Sequence, residues 1–349
     1  MKTNPYFSKI LLDWFEVNQR ILPWRGETDP YKIWISEIIL QQTRVNQGWE
    51  YYLKFIERFP DVKSLAEATL QEVLHVWQGL GYYSRARNIH TAAQQIMQDF
   101  QGIFPNNYLD IKKLKGIGDY TAAAIGSIAF NLPHSAVDGN VLRVMTRIFG
   151  IYDDIGQPKT IQKITKMCNN LIDTEHPGNF NQALMEFGAI QCTPKKPKCE
   201  TCPFVNQCIA LKDETAHLLP LKISKISIKN RYFHYFIFLK DNKTIIEQRM
   251  ENDIWKNLYQ FPLIETETVC EKLPQKTISD AGLGDGKPVF LKKIKHILTH
   301  QHLLIRFYLV HNYFPKIKAG WHETPIADLE KFPFPVVLGK VILNSYFGD

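Results

Sequence analysis

The sequence predicts a mainly α region over residues 1–210, followed by a smaller α+β region over residues 231–349. Three observations carry this. Apolar residues recur at i, i+3/i+4 through the first region, with glycine and proline between the periodic stretches. Beyond residue 230 the pattern changes to aromatic and β-branched runs. Between the two, four of the six cysteines crowd into CTPKKPKCETCPFVNQC, residues 192–208.

The helical elements follow in order. In TDPYKIWISEIILQQT, Asp29 is a good N-cap and Pro30 suits the first helical position. SLAEATLQEVLHVWQ, RARNIHTAAQQIMQDF and TIQKITKMCNNLI carry the helical period, punctuated by GLG at 79–81, FPNN at 104–107 and LPHS at 132–135. LKGIGDYTAAAIGSIAF, residues 114–130, places Gly116 and Gly118 before a helix whose Ala122, Ala123 and Gly126 let a neighbour pack close. Residues 211–230, with Pro220, Lys222, Lys225 and Lys229, show no helical face and read as a basic linker. YFHYFIFL, the turn DNK and TIIEQR predict a hairpin; HLLIRFYLV predicts a further strand and VVLGKVILNSYF a terminal helix.

Composition bounds the class. Hydrophobic residues at 45% and charged residues at 22% supply a core and exclude a disordered chain. The opening MKTNPYFSKILLDW carries Asp13 inside its apolar run, and no run reaches the roughly 20 residues of a membrane helix, so a soluble cytoplasmic protein is expected. A net charge of +7 is compatible with nucleic acid without requiring it. In a reducing compartment, four thiols so close together point to a metal site rather than disulfides.

Two motifs carry chemistry on their own. The glycines permit a tight turn whose N–H groups, at a helix N-terminus, can hold a phosphate; a plain helix connection satisfies the same letters. The spacing C-x6-C-x2-C-x5-C (Cys192, Cys199, Cys202, Cys208) departs from the paired C-x2-C of zinc ribbons, though zinc and free thiols stay open from the residues alone. It resembles the [4Fe-4S] loop of the endonuclease III-type DNA glycosylases. Lys195, Lys196 and Lys198 make that loop basic, for DNA contact or for simple solvation.

The glycine turn, VDGNVLRV at 137–144 and the cysteine loop occur in the order of the helix-hairpin-helix glycosylase superfamily, which the chain resembles. The resemblance implies a helix-hairpin-helix glycosylase fold of two helical lobes: residues 1–28 and 133–210 around one [4Fe-4S] cluster, and residues 29–132 with the hairpin. Asp138 would be the catalytic aspartate. The endonuclease III branch carries a Schiff-base lysine where this chain has Tyr120, and a phenol cannot do that lyase chemistry.

WISEIILQQTRV at 34–45 and GLGYYSRARN at 79–88 resemble the adenine-specific mismatch glycosylases, which remove adenine opposite 8-oxoguanine. This implies Glu37 as the acid that protonates adenine, its pKa raised among Ile33, Ile38 and Leu40, with Asp138 stabilising or attacking the sugar cation. Tyr120 and Asn140 would support these groups. Gln41, Gln42 and Thr43 follow Glu37 in the family's order, and Tyr82 would wedge beside the oxidised base. Trp24, Arg25 and Leu40 match pocket positions, and Gln182 a position facing the adenine edge. From the residues alone, Glu37 could sit on a polar rim, Asp138 could merely cap a helix, and Trp24 and Leu40 could be core.

The resemblance implies a Nudix-like C-terminal region that reads 8-oxoguanine; the glutamate-rich hydrolase box is absent, so recognition rather than pyrophosphate hydrolysis is expected. IWKNLYQFP at 254–262 resembles the family's glycine-rich turn with Asn257 in place of the second glycine. Leu298, Thr299 and His300 stand where the family reads Phe-Ser-His, keeping a hydroxyl and an imidazole for the oxidised base. The expected partner is double-stranded DNA bearing A·8-oxoguanine or A·G mispairs, bound by a monomer. The rival readings are an endonuclease III-like pyrimidine glycosylase/lyase and a non-enzymatic Fe–S DNA-binding protein.

Overall fold

The computed structural model describes residues 5–43, 45–223 and 227–343. The chain divides into two compact units: residues 1–68 with 88–224, and residues 69–87 with 225–349.

The described residues up to 212 form only helices and their connections: α1 (Pro5–Asn18), α2 (Pro30–Leu40), α3 (Val45–Arg58), α4 (Val62–Glu67), α5 (Leu70–Val76), α6 (Ser84–Asp99), α7 (Tyr108–Lys113), α8 (Asp119–Phe130), α9 (Gly139–Phe149), α10 (Pro158–Leu171), α11 (Pro177–Glu186) and α12 (Ile209–Lys212). The single periodic run SLAEATLQEVLHVWQ becomes two helices. Thr69 and Glu72 close a capping box that starts α5 afresh one residue after α4 ends at its cap, Ala68.

In the first unit, α2 begins as its letters require: the Asp29 carboxylate accepts from the Tyr31 N–H at 2.9 Å, with Pro30 in the first turn. Trp34, Ile35 and Ile39 are fully buried and Ile33 and Ile38 nearly so. Each such side chain contributes about 1.5–3 kcal/mol, so the position of Glu37 among them is fixed by packing. A second core joins α1 to α9, α10 and α11 through Phe7, Leu11, Val144, Met145, Ile164 and Phe180. Helix α8 packs on α2, α7 and α11. The glycine that makes the last contact close lies on the neighbour: a Cβ on Gly178 would meet the Ser127 carbonyl oxygen at 2.8 Å and the Ile128 Cα at 2.9 Å.

The second unit contains α5, β1 (Lys229–Leu239), β2 (Lys243–Gln248), β3 (Tyr259–Gln260), β4 (Leu263–Thr266), α13 (Gln275–Asp280), β5 (Val289–Ile297), β6 (Gln301–His311), β7 (Trp321–Pro325) and α14 (Val336–Leu343). The terminal helix is present, and the end of its motif beyond residue 343 lies outside the described residues, as do residues 224–226 of the basic segment. One sheet runs β4-β1-β6-β5, with β1 and β6 parallel; the other runs β3-β2-β7. The expected β1–β2 hairpin is corrected here. Its turn exists, with Asp241 and Asn242 at φ 50° and 55° and a bridge from Lys240 to Lys243. Past that bridge the strands part into different sheets, because β1 is buried on both faces and takes β4 and β6 as partners.

Candidate active site and cluster loop

A cavity of about 700 Å³ opens in the first unit between α2, the α7–α8 turn, the start of α9 and α11. Its wall brings together Trp24, Arg25, Glu37, Leu40, Gln41, Gln42, Thr43, Gly116, Gly118, Tyr120, Asp138, Asn140 and Gln182. These come from five separate stretches of the sequence. Trp24 and Leu40 are half-buried wall residues rather than core, the Trp24 ring lying edge-on to Tyr52 at 5.6 Å.

Glu37 is buried, not on a rim. Burial pushes its carboxyl up to about 7; the Tyr120 hydroxyl, donating to Oε2 at 2.6 Å, and Arg25 pull it down, while the Asp138 charge adds to the rise. Tyr120 also reaches the Met185 sulfur at 3.3 Å. Asp138 is the N-cap of α9: the Val141 N–H donates to Oδ1 at 2.8 Å and the Asn140 amide donates to Oδ2 at 2.7 Å. Burial raises the Asp138 carboxyl, and these donors oppose the rise. The arrangement offers a protonatable acid and a second, hydrogen-bonded carboxylate in one cavity, the pattern that acid-assisted cleavage with charge stabilisation requires.

On the opposite wall, Arg25 donates to the Gln182 Oε1 at 2.5 Å and lies 3.3 Å from the Glu186 carboxylate. Burial alone would raise Glu186, but Arg20, donating at 2.6 and 2.9 Å, holds it below its ordinary value. Sequence reasoning missed Glu186 and Arg20. The available signal was the four-residue step from Gln182, which puts Glu186 on the same face of α11.

The α7–α8 turn needs one glycine for its backbone. Gly116 has φ +80°, and a Cβ there would sit 2.6 Å from the Asn88 side chain. Gly118 is extended at φ −97°, caps α8 without a side chain and has open space around it, leaving the helix N–H groups accessible. Gln41 donates to the Thr121 hydroxyl at 3.3 Å, and Gln42, exposed with φ 59°, marks the end of α2.

The four loop cysteines line one small cavity with Arg147, Phe187 and Pro197. Among the described residues no three His, Cys, Asp or Glu groups converge tightly enough for a single ion. Four thiols spread around a void, with the Arg147 guanidinium 3.4 Å from the Cys192 sulfur, suit a multinuclear anionic cluster. Arg143 ties this loop to the candidate cavity: it donates to the Cys192 carbonyl at 2.8 Å, the Gly188 carbonyl at 2.6 Å and the Asn140 Oδ1 at 2.8 Å.

Known proteins match this layout. Residues 35–170 match the HhH-GPD superfamily of base excision DNA repair proteins, residues 192–208 the iron-sulfur binding domain of endonuclease III, and residues 234–344 the NUDIX domain. The adenine DNA glycosylase of Buchnera aphidicola subsp. Schizaphis graminum is 36% identical over 334 residues, spanning 95% of this chain and 96% of that protein. The chain belongs to the adenine DNA glycosylase family. The adenine DNA glycosylase of Homo sapiens is 39% identical over 213 residues, covering 58% of this chain and 39% of the human protein. A thermostable thymine-DNA glycosylase structure is similar at a TM-score of 0.56 and 29% identity, over 60% of this chain and 96% of that one.

As an adenine DNA glycosylase of base-excision repair, the protein carries a [4Fe-4S] cluster, and Cys192, Cys199, Cys202 and Cys208 are the thiols that would hold it. The glycosylase's second unit has its own cavity, about 620 Å³, where residues taken from distant motifs meet. Tyr82, with φ 47°, shares a short hydrogen bond with the Thr299 hydroxyl, and His300 lines the same space. Thr299 and His300 form the tip between β5 and β6, closed by the Leu298 N–H donating to the Gln301 carbonyl at 2.8 Å. Asn257 takes the left-handed conformation at φ 67° that its glycine-like position requires, as does Trp255 at φ 60°. Among the described residues no helix is long and apolar enough to cross a membrane.

Proposed function

We propose that the protein hydrolyses the N-glycosidic bond of adenine paired with 8-oxoguanine or guanine, acting as a monomer on double-stranded DNA. The observation that carries this is the buried Glu37, poised near 7 and hydrogen-bonded to Tyr120 in a cavity that also holds Asp138. The adenine is flipped out of the duplex into this cavity. Glu37 protonates it at N7, the C1′–N9 bond breaks with its electron pair leaving on the base, and Asp138 stabilises the resulting sugar cation until water adds at C1′ and passes its proton to the Glu37 carboxylate, restoring the acid. Asn140 orients Asp138; Arg25 and Gln182 face the base edge between Trp24 and Leu40. The Gly116–Gly118 turn grips a phosphate through backbone N–H groups, with Gln41, Gln42 and Thr43 contacting DNA at the cavity mouth. Tyr82, Thr299 and His300 read the oxidised base opposite. With Tyr120 in place of an amine, no Schiff base forms and the strand is not nicked. In domain terms, residues 1–28 with 133–210 form the cluster lobe, 29–132 the hairpin lobe, 211–230 the linker and 231–349 the recognition domain.

The test is a duplex panel with adenine opposite 8-oxoguanine, guanine, cytosine or thymine, followed by alkali. Cleavage at the adenine, fastest opposite 8-oxoguanine and absent in Glu37→Gln, is expected. Equal product from wild type and Glu37→Gln, or borohydride trapping of the protein on oxidised-pyrimidine DNA, overturns the reading.

A further inference from the structure

The face of the four-stranded sheet that packs under α13 is apolar at one end and cationic at the other. Phe236, Phe238, Tyr308 and Val310 bury against Ile278 and Leu283. Two residues back along the same strands, register sets His234 beside Arg306 and Arg306 beside Lys293. The next rung sets Tyr232 beside Leu304 and Leu304 beside Lys295. Side chains alternate along a strand, so all six share the face of Phe236. Directly opposed residues bring their Cβ atoms to about 4.5–5.5 Å, where like charges repel.

A cavity of about 450 Å³ opens over these rungs, bounded on the loop side by Val269, Cys270 and Glu271. Glu271 is its one lining carboxylate. It lies 3.5 Å from Arg306 but is 87% exposed, so the pair is weak and displaceable. Among the described residues Lys293 and Lys295 make no ion pair. His234 is buried between the Tyr308 hydroxyl at 3.3 Å and the Thr266 hydroxyl at 3.4 Å. Burial and Arg306 push it down to about 4, so it adds a ring and no charge. Three cations therefore face one exposed carboxylate, in a space of ligand size with the Tyr232 ring on its wall.

We propose that this cavity binds a small phosphate-bearing anion, its phosphate oxygens held by Lys293, Lys295 and Arg306 in place of Glu271. Nothing in this depends on the glycosylase chemistry. Isothermal titration of the full chain with inorganic pyrophosphate tests it. Saturable binding is expected, weakened about tenfold or more by Lys293→Ala with Lys295→Ala, which removes two charged donors. Glu271→Gln, which removes only the competing carboxylate, tightens binding. No saturable binding, equal affinity in the lysine variant, or weaker affinity in Glu271→Gln overturns the proposal. A lysine variant that loses affinity for a DNA duplex in parallel also overturns it, since the row then belongs to a DNA surface.

Discussion

Replacing Tyr120 with phenylalanine removes one atom from the candidate site and changes one equilibrium. The hydroxyl donates to Glu37 Oε2 at 2.6 Å, a geometry that favours the carboxylate over the acid. A hydrogen bond to a charged acceptor is worth about 1.5–3 kcal/mol, and 1.36 kcal/mol is about one pKa unit. Glu37 is buried, so solvent screening dilutes the effect little. Its pKa, about 7 in the wild type, moves up by roughly one to two units in Tyr120→Phe. A general acid works only while protonated, so activity falls as pH rises through its pKa. The assay is the single-turnover rate of adenine release from an A·8-oxoguanine duplex across pH. The alkaline fall of Tyr120→Phe is expected at higher pH than that of the wild type. A fall at the same or lower pH refutes the acid role of Glu37 or the direction of the Tyr120 hydrogen bond.

Three further outcomes follow from the same geometry. Asp138→Asn keeps an oxygen to cap Val141 but loses the charge and the acceptor of the Asn140 amide, so thermal stability falls by only about 1–3 kcal/mol while adenine release falls about 10²-fold or more in single-turnover kinetics. Glu37→Gln removes a carboxyl whose folded pKa, about 7, lies above its ordinary 4.5. The wild type's stability from this group is intact below 4.5 and lost as pH rises through 7, so the variant's gain in denaturant stability grows with pH to roughly 3 kcal/mol at pH 8; a pH-independent difference contradicts this. Gly178→Ala drives a methyl into the α8 backbone, costing about 1–3 kcal/mol by thermal unfolding and slowing adenine release, because α11 carries Gln182 and Glu186.

What was legible divides along local and non-local lines. Asp29 and Pro30 announced α2, and the apolar, aromatic run HLLIRFYLV announced β6, because caps and short strand-type runs are written within a few residues. The split between α4 and α5 was also written locally, in Thr69-x-x-Glu72, but the unbroken apolar period hid it. The DNK turn was real, yet a turn does not choose the partner of a strand buried on both faces. In the site, motif letters named Glu37, Tyr120 and Asp138. Glu186 escaped because nothing local distinguishes a buried, doubly paired glutamate from a solvated one. The close-packing glycine escaped likewise: the small face of α8 was visible, but the contact is set by Gly178 on its neighbour.

Asp138 shows why two readings of one residue need not compete. Capping a helix and stabilising a cation were alternatives on paper, but a carboxylate has two oxygens, and here each has its own donor, Val141 N–H on one and the Asn140 amide on the other. The cap fixes the orientation that the proposed chemistry needs. It also separates the two carboxylates electrically. Both are pushed up by burial, but Asp138 receives backbone N–H groups, the Asn140 amide and the nearby Arg143 charge, while the one hydrogen bond opposing the rise of Glu37 comes from the Tyr120 hydroxyl. In the proposed mechanism the group with the richer donors is the one that carries the charge, and the poorer one delivers the proton. Asn140 in turn accepts from Arg143, which also holds the Cys192 and Gly188 carbonyls. The acid–base assignment of the proposed mechanism thus rests on an ordinary helix cap, anchored through one arginine to the backbone of the cluster loop.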